Sequence, residues 1–159
     1  MLFIKDQSGA YKPASNDAVL TEAKRLRSYQ LRRGVSIISS DTAKAAIQDK
    51  LNGHECEVFA CLFLDSKHRV LAWVEMFRGS VNTATVHPRE VVKEALRLNA
   101  AAIIIAHNHP SGDSTPSRED IALTEKLREI LKVIDVMVLD HLIVGDEVNA
   151  LSDSGHFSS

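Results

Sequence analysis

The chain is poor in the features that mark several protein classes. Two cysteines in 159 residues cannot build a disulfide framework. Cys56 and Cys61 lie five positions apart, on opposite faces of a strand, which predicts two reduced thiols and no metal pair. No apolar run approaches the length of a membrane span, and MLFIKDQSGAYKP lacks the long apolar core and cleavage site of a secretory signal. Internal repeats and low-complexity segments are absent too. A net charge of −2 gives no overall pull toward nucleic acid. What remains is a cytoplasmic, single-domain globular chain, 45% hydrophobic and 25% charged. Its charge is uneven: residues 1–53 carry nine Lys/Arg against five Asp/Glu, and the rest carries ten against sixteen.

The most informative stretch is Ile103 to Asp120. An apolar run from Ala100 to Ala106 ends at His107 and His109, whose alternation on a strand puts both imidazoles on one face. Pro110 stops the strand, and Ser111 to Pro116 force a loop. Ser117-x-x-Asp120 is the acid variant of a capping box, enough to start a helix with no metal present. Two imidazoles and a carboxylate converging from a strand end and a helix start also make a three-ligand zinc site. Its fourth position is left for water, as catalytic zinc requires.

The rest of the chain reads as alternating elements. The first sixteen residues look loosely structured. Asp17 to Arg32 has helical spacing, with Val19, Ala23 and Leu26 on one face and Gly34 as the stop. Lys24, Arg25, Arg27, Arg32 and Arg33 crowd it, a solvated face before it is a nucleic-acid contact. Val35 to Ile38 is a short link or an edge strand, and Ser40 is placed to cap a helix over 41–51. EVFACLFLD, Glu57 to Asp65, is apolar on both faces and predicts a central strand, with Val70 to Phe77 returning as its partner. A turn centred on Lys67 sets 57 opposite 77 and 59 opposite 75, which brings Glu57 and Glu75 to one face. Gly79 to Thr85 connects onward with some strand character, and His87-Pro88 opens a helix with Val91, Ala95 and Leu98 buried. A helix from Arg118 buries Leu123, Leu127, Ile130 and Ile134. Val136 to Leu139 and Leu142 to Val144 are two β segments or one strand broken at Asp140-His141, a pair that could support a metal shell from outside. Gly145 to Glu147 turns the chain toward Val148 to Leu151. Asp113, a loop acid close to the histidines, reads as a turn residue.

His107, His109, Ser117 and Asp120 resemble the JAMM signature of the JAB/MPN metalloprotease superfamily. The fuller string HNHPSGD, TPSRED, the preceding PREVVKEAL and the following LDHLIVG resemble the RadC family over roughly Ser40 to Gly155. The resemblance implies a three-layer α/β JAB/MPN domain, a mixed sheet flanked by helices and related to the cytidine-deaminase-like fold. The expected division is an extension with a basic helix over 1–39, the MPN domain over 40–155 and a tail over 156–159. Longer RadC proteins carry an N-terminal helix-hairpin-helix module, so this chain reads as a short form. The resemblance further implies Zn(2+) held by His107, His109 and Asp120, Ser117 assisting at the oxyanion and an upstream glutamate as general base. Glu57 is at the family's position for that base, and Glu75 is the competitor. The expected function is a zinc-dependent metallopeptidase or isopeptidase acting on a peptide or protein. A DNA-associated protein of repair or recombination, with zinc in a structural role, is the alternative. A zinc nucleobase deaminase would need His-x-Glu and Pro-Cys-x-x-Cys, which are missing. HNH-nuclease spacing is also missing. Substrate, pathway and oligomeric state are not legible in the residues.

Overall fold

A computed structural model of the chain describes residues 1–81 and 85–157. Its centre is a five-stranded sheet of β3 (Val58–Leu64), β4 (Val70–Arg78), β5 (Ala102–Asn108), β6 (Met137–Val144) and β7 (Val148–Ala150), in the order β4-β3-β5-β6-β7. β5 and β6 run parallel and the other neighbours antiparallel, so the sheet is mixed. Every residue of β3 and β5 is buried, as expected of central strands covered on both faces. A parallel pair needs a crossover, and the helix α4 (Arg118–Val133) supplies it between β5 and β6.

Helices cover both faces. On one, α2 (Ser40–Leu51) packs Ala46, Ile47 and Leu51 against Leu62, Leu64, Ile104 and Leu142, and Leu31 joins this core. On the other, α3 (Pro88–Arg97) and α4 contribute Val91, Ala95, Leu123, Leu127 and Leu131 to a core with Phe59, Phe63, Ile103 and Ile105. This is the three-layer α/β arrangement predicted from the alternating pattern. The N-terminus of β3 and the C-termini of β4, β5 and β6 gather at one end of the sheet. Among the described residues no helix is long and apolar enough to cross a membrane.

Local chemistry shifts several expected boundaries. Residues 3–13 are not loose: β1 (Phe3–Lys5) and β2 (Tyr11–Pro13) form an antiparallel hairpin, followed by the helix α1 (Asn16–Tyr29). Asp6 organises that turn, its carboxylate accepting from the backbone of Ser8 and Ala10. The cap of α2 is Ser39 instead of Ser40, its hydroxyl accepting from the Thr42 N–H. In α4 the stripe uses Leu131, with Ile130 only half-buried, because Asp120 and Thr124 also turn inward. Residues 137–144 form one strand, its register slipping where Val138 pairs with Ile103 and Asp140 with Ile104. Part of the connection over 79–85 lies outside the described residues.

Candidate metal centre

His107 pairs with Phe59 across the sheet and shares its face, the one covered by α4. His109 follows the strand end, held by its N–H donating to the Val144 carbonyl at 2.8 Å. Gly112, at φ +90°, reverses the loop and donates to the His109 carbonyl at 3.0 Å. The loop is then seated on the β6–β7 turn: the Asp146 N–H donates to the Gly112 carbonyl at 2.8 Å. A Cβ on Gly145 would stand 2.2 Å from that carbonyl oxygen, so only glycine admits so close an approach. Ser117 then caps α4. Its hydroxyl accepts from the Asp120 N–H at 3.0 Å, and the Asp120 carboxylate accepts from the Ser117 N–H at 2.8 Å.

The capping box also aims the rest of the Asp120 carboxylate at both histidines. Oδ1 lies 3.1 Å from His107 Nε2 and Oδ2 lies 3.3 Å from His109 Nε2. The two Nε2 atoms are 2.9 Å apart, and the ligand atoms of the trio all fall within 4.8 Å of one another. The helix-capping and metal-ligand readings of Ser117-x-x-Asp120 are therefore compatible in one geometry.

Hydrogen-bond direction decides what those nitrogens offer. His109 Nδ1 is 2.7 Å from the Asp113 carbonyl, which can only accept, so Nδ1 carries the proton and a neutral ring keeps its lone pair on Nε2. The Thr124 hydroxyl donates to the Asp120 carbonyl at 2.6 Å and must therefore accept from His141 Nδ1, 2.5 Å away. His141 Nε2 is then an acceptor for His107 Nδ1–H at 2.8 Å, which leaves the His107 lone pair on Nε2 as well. Two lone pairs and a carboxylate converge with no proton among them, an arrangement that calls for a cation. The donor set suits zinc, which takes imidazole nitrogen and carboxylate oxygen.

With no metal bound, a proton on an imidazole Nε2 can stand in for that cation, and the electrostatics show the pull. Burial would push the Asp120 carboxyl up, but hydrogen bonds to His107 and His109 outweigh it and hold it well below the usual carboxylate range. The hydrogen bond with Asp120, opposed by burial, raises His109, and the charge of Glu57 adds to the rise. His141 is held neutral by full burial, reinforced by the neighbouring His107.

Glu57 immediately precedes β3, is half-buried and accepts a hydrogen bond from the Val81 N–H. Asn108, between the two histidines, grips both flanks of Glu57: Oδ1 accepts from the Val58 N–H at 2.6 Å and Nδ2 donates to the Cys56 carbonyl at 3.0 Å. Glu75 does not share that position. Register irregularities between Phe59 and Ala60 and between Phe63 and Leu64 pair Glu75 with Ala60, on the sheet face away from His107. Glu75 is exposed and ion-pairs with Arg78 at 2.8 Å. The Asp113 side chain accepts from the Thr115 N–H within its own loop. His87 precedes α3 without a capping side-chain bond, and His68 is exposed in its turn. Asn108 and Thr124 are the members that sequence reasoning missed. Their only signals were a polar residue flanked by the histidines and one interrupting the apolar stripe of α4.

A mixed sheet between helix layers, with two histidines at a strand end and an aspartate in the first turn of the next helix, defines a JAB/MPN-type domain. The sequence profile of the RadC-like JAB domain matches residues 37–156, and the chain belongs to that family. It is 48% identical over 147 residues to a UPF0758 protein of Thioalkalivibrio sulfidiphilus, covering 92% of this chain and 66% of that relative. A UPF0758 protein of Pseudomonas syringae pv. tomato is 50% identical over 138 residues, 62% of its length. One of Vibrio cholerae is 44% identical over 137 residues, 87% of its length. The chain thus spans just under two thirds of the first two relatives and most of the third.

Proposed function

We propose that the protein is a zinc-dependent hydrolase, a metallopeptidase or isopeptidase acting on a peptide or protein. The observation that carries this reading is the convergence of the His107 and His109 Nε2 lone pairs on the Asp120 carboxylate. These three residues would hold the zinc. When bound, the metal supplies a Lewis acid that activates water and polarises a carbonyl. Glu57 is assigned as general base, since its carboxylate is near enough to His109 to shift that ring's titration and is fixed by Val81. Ser117 is assigned to the developing oxyanion, and its hydroxyl proton is free for that donation because the capping bond uses the oxygen as acceptor. Residues 40–155 form the catalytic unit, with 1–39 as an extension and 156–159 as a tail. The free thiols of Cys56 and Cys61 suit a reducing, cytoplasmic setting.

No observation favours the DNA-associated alternative. Arg25 ion-pairs with Glu22 and Arg27 with Asp49, and Arg32 lies over the Tyr29 ring, so much of the basic helix is engaged within the chain. The test is metal analysis of native protein and of His107→Ala, His109→Ala and Asp120→Ala, alongside a peptide-library cleavage screen. One zinc per native chain, lost in all three variants, with cleavage by the native protein alone, supports the reading. Equal zinc content in all four proteins overturns the ligand assignment, and zinc without cleavage of any peptide or isopeptide substrate overturns the hydrolase.

A further inference from the structure

Besides Asn108, two buried polar side chains of the described residues neither cap an element nor belong to the three converging ligands. His141 is fully buried in β6, and Thr124 is buried in α4, 2% exposed. An imidazole at such depth is tolerated only where both nitrogens are satisfied. Here His107 and Thr124 supply the two partners, and the Phe59 ring meets His141 edge-on at 6.2 Å. The bonds form a circuit with a single gap. From His107 it passes through His141 and Thr124 to the Asp120 carbonyl, and the gap is the 3.1 Å between the Asp120 carboxylate and the unprotonated His107 Nε2, where a cation would sit.

Building on the metal-site reading above, we propose that His141 and Thr124 are positioning residues that lock His107 in its Nε2-ligating tautomer and tie that ring to Asp120. The direction of the circuit is set at its far end. The Asp120 carbonyl has no proton to give, so it orients the Thr124 hydroxyl, and each later proton has one place left. With the hydroxyl reversed, His141 would carry its proton on Nε2 and His107 on Nε2 as well, blocking the nitrogen that faces Asp120. The circuit also joins a strand ligand to a helix ligand, so the separation of β5 from α4 at the site is held by hydrogen bonds before any cation arrives. A neutral imidazole in this outer position adds no further charge to the site, whereas the carboxylate often found behind a metal-bound histidine would.

Two measurements test this. In metal-free, 15N-labelled native protein, long-range proton–nitrogen correlation should show both His107 and His141 protonated on Nδ1. Zinc affinity, read by competition with a chromophoric chelator, should fall about 10- to 100-fold in Thr124→Val, the usual scale for losing an outer partner of a metal ligand. Thr124→Ser, which restores the hydroxyl, should recover to within about threefold, a rescue that packing alone would not produce. Folded Thr124→Val with native zinc affinity, or an Nε2 proton on His141, overturns the inference while leaving the metal site intact. Native protein that takes up no zinc overturns the metal-site reading, and the inference with it. Should Thr124→Val fail to fold, the tautomers of the native protein decide.

Discussion

Asn108→Ala separates the support of Glu57 from the support of the metal. The Asn108 side chain is 4% exposed and spans 50 residues of sequence to take the Val58 N–H and give to the Cys56 carbonyl. Removing it strands the Val58 N–H, since Val58 is fully buried and water cannot reach it. A buried donor left unpaired costs about 1–3 kcal/mol. The second bond adds roughly 0.5–1.5 kcal/mol, toward its lower end because Cys56 is exposed and water can take over its carbonyl. The expected loss is therefore about 1.5–3.5 kcal/mol, a large share of a typical domain's stability. Urea denaturation of metal-free protein reads it as a lower midpoint at unchanged slope. His107 and His109 sit on the other side of the chain and should keep their zinc. Turnover should fall tenfold or more, because displacing a base by even an ångström is enough for that. A stability change under about 0.5 kcal/mol would mean that water replaces the side chain and that the buried-donor argument fails. Native turnover in the folded variant would mean that Asn108 does not hold Glu57 in place.

Glu57→Gln should retain zinc and lose roughly a hundredfold or more in turnover, whereas Glu75→Gln, on the opposite sheet face, should change little; the reverse pattern with both metallated would make Glu75 the base. The raised His109 stabilises the metal-free fold below about pH 6.5, and that contribution is lost as pH rises through the raised folded value. In chelator, the melting-temperature gap between native protein and His109→Gln should thus be wider at pH 6 than at pH 8.5; a gap independent of pH would refute the pairing with Asp120. Gly145→Ala forces a Cβ to within 2.2 Å of the Gly112 carbonyl, so the loop carrying His109 must shift and zinc affinity should drop, measured by chelator competition; unchanged affinity would show the loop to be seated otherwise. Removing zinc should lower the melting temperature without unfolding the chain, read by circular dichroism; an unfolded apo-protein would make the metal structural.

The fold was legible where apolar pattern and punctuation agreed. All-apolar β3 and the apolar run Ala102 to Ala106 that opens β5 announce central strands, and Ser117-x-x-Asp120 announces the start of α4. The failures have physical reasons. The β3–β4 pairing departs from ideal hairpin counting at two irregularities, and each one-residue slip turns a side chain to the other face. That is why counting from Lys67 placed Glu75 beside Glu57. The N-terminal hairpin was invisible because its three-residue strands bury nothing and so carry no alternation. Ser39 and Ser40 are chemically equal as caps, and only backbone geometry chooses between them. The ligand trio was legible as spacing. Of its supports, His141 was read from the break in its strand as a possible outer partner, whereas Asn108 and Thr124 act across 50 and 17 residues of sequence, and no local rule reaches that far.

The way the site is assembled bears on whether a metal here would work or merely hold. A structural zinc stands in for a core that a small chain cannot otherwise build. This chain has apolar cores on both faces of its sheet, filled by Leu51, Leu62, Phe59, Phe63, Leu123 and Leu127 with no need of an ion. The ligands stand at the end of the sheet where β3 begins and β5 and β6 finish, and where backbone gives way to loop. Their outer sides are occupied: His107 by His141, His109 by the Asp113 carbonyl, Asp120 by the Ser117 N–H. Their inner atoms face one another, with Asp120 Oδ2 also taking the Ser117 N–H. Such investment in aiming three donors, with a fourth coordination position left to no residue of the trio and a carboxylate at Glu57 electrostatically coupled to the group, has little use in a structural clip. It has a direct use in hydrolysis, where the open position and the adjacent base are both required.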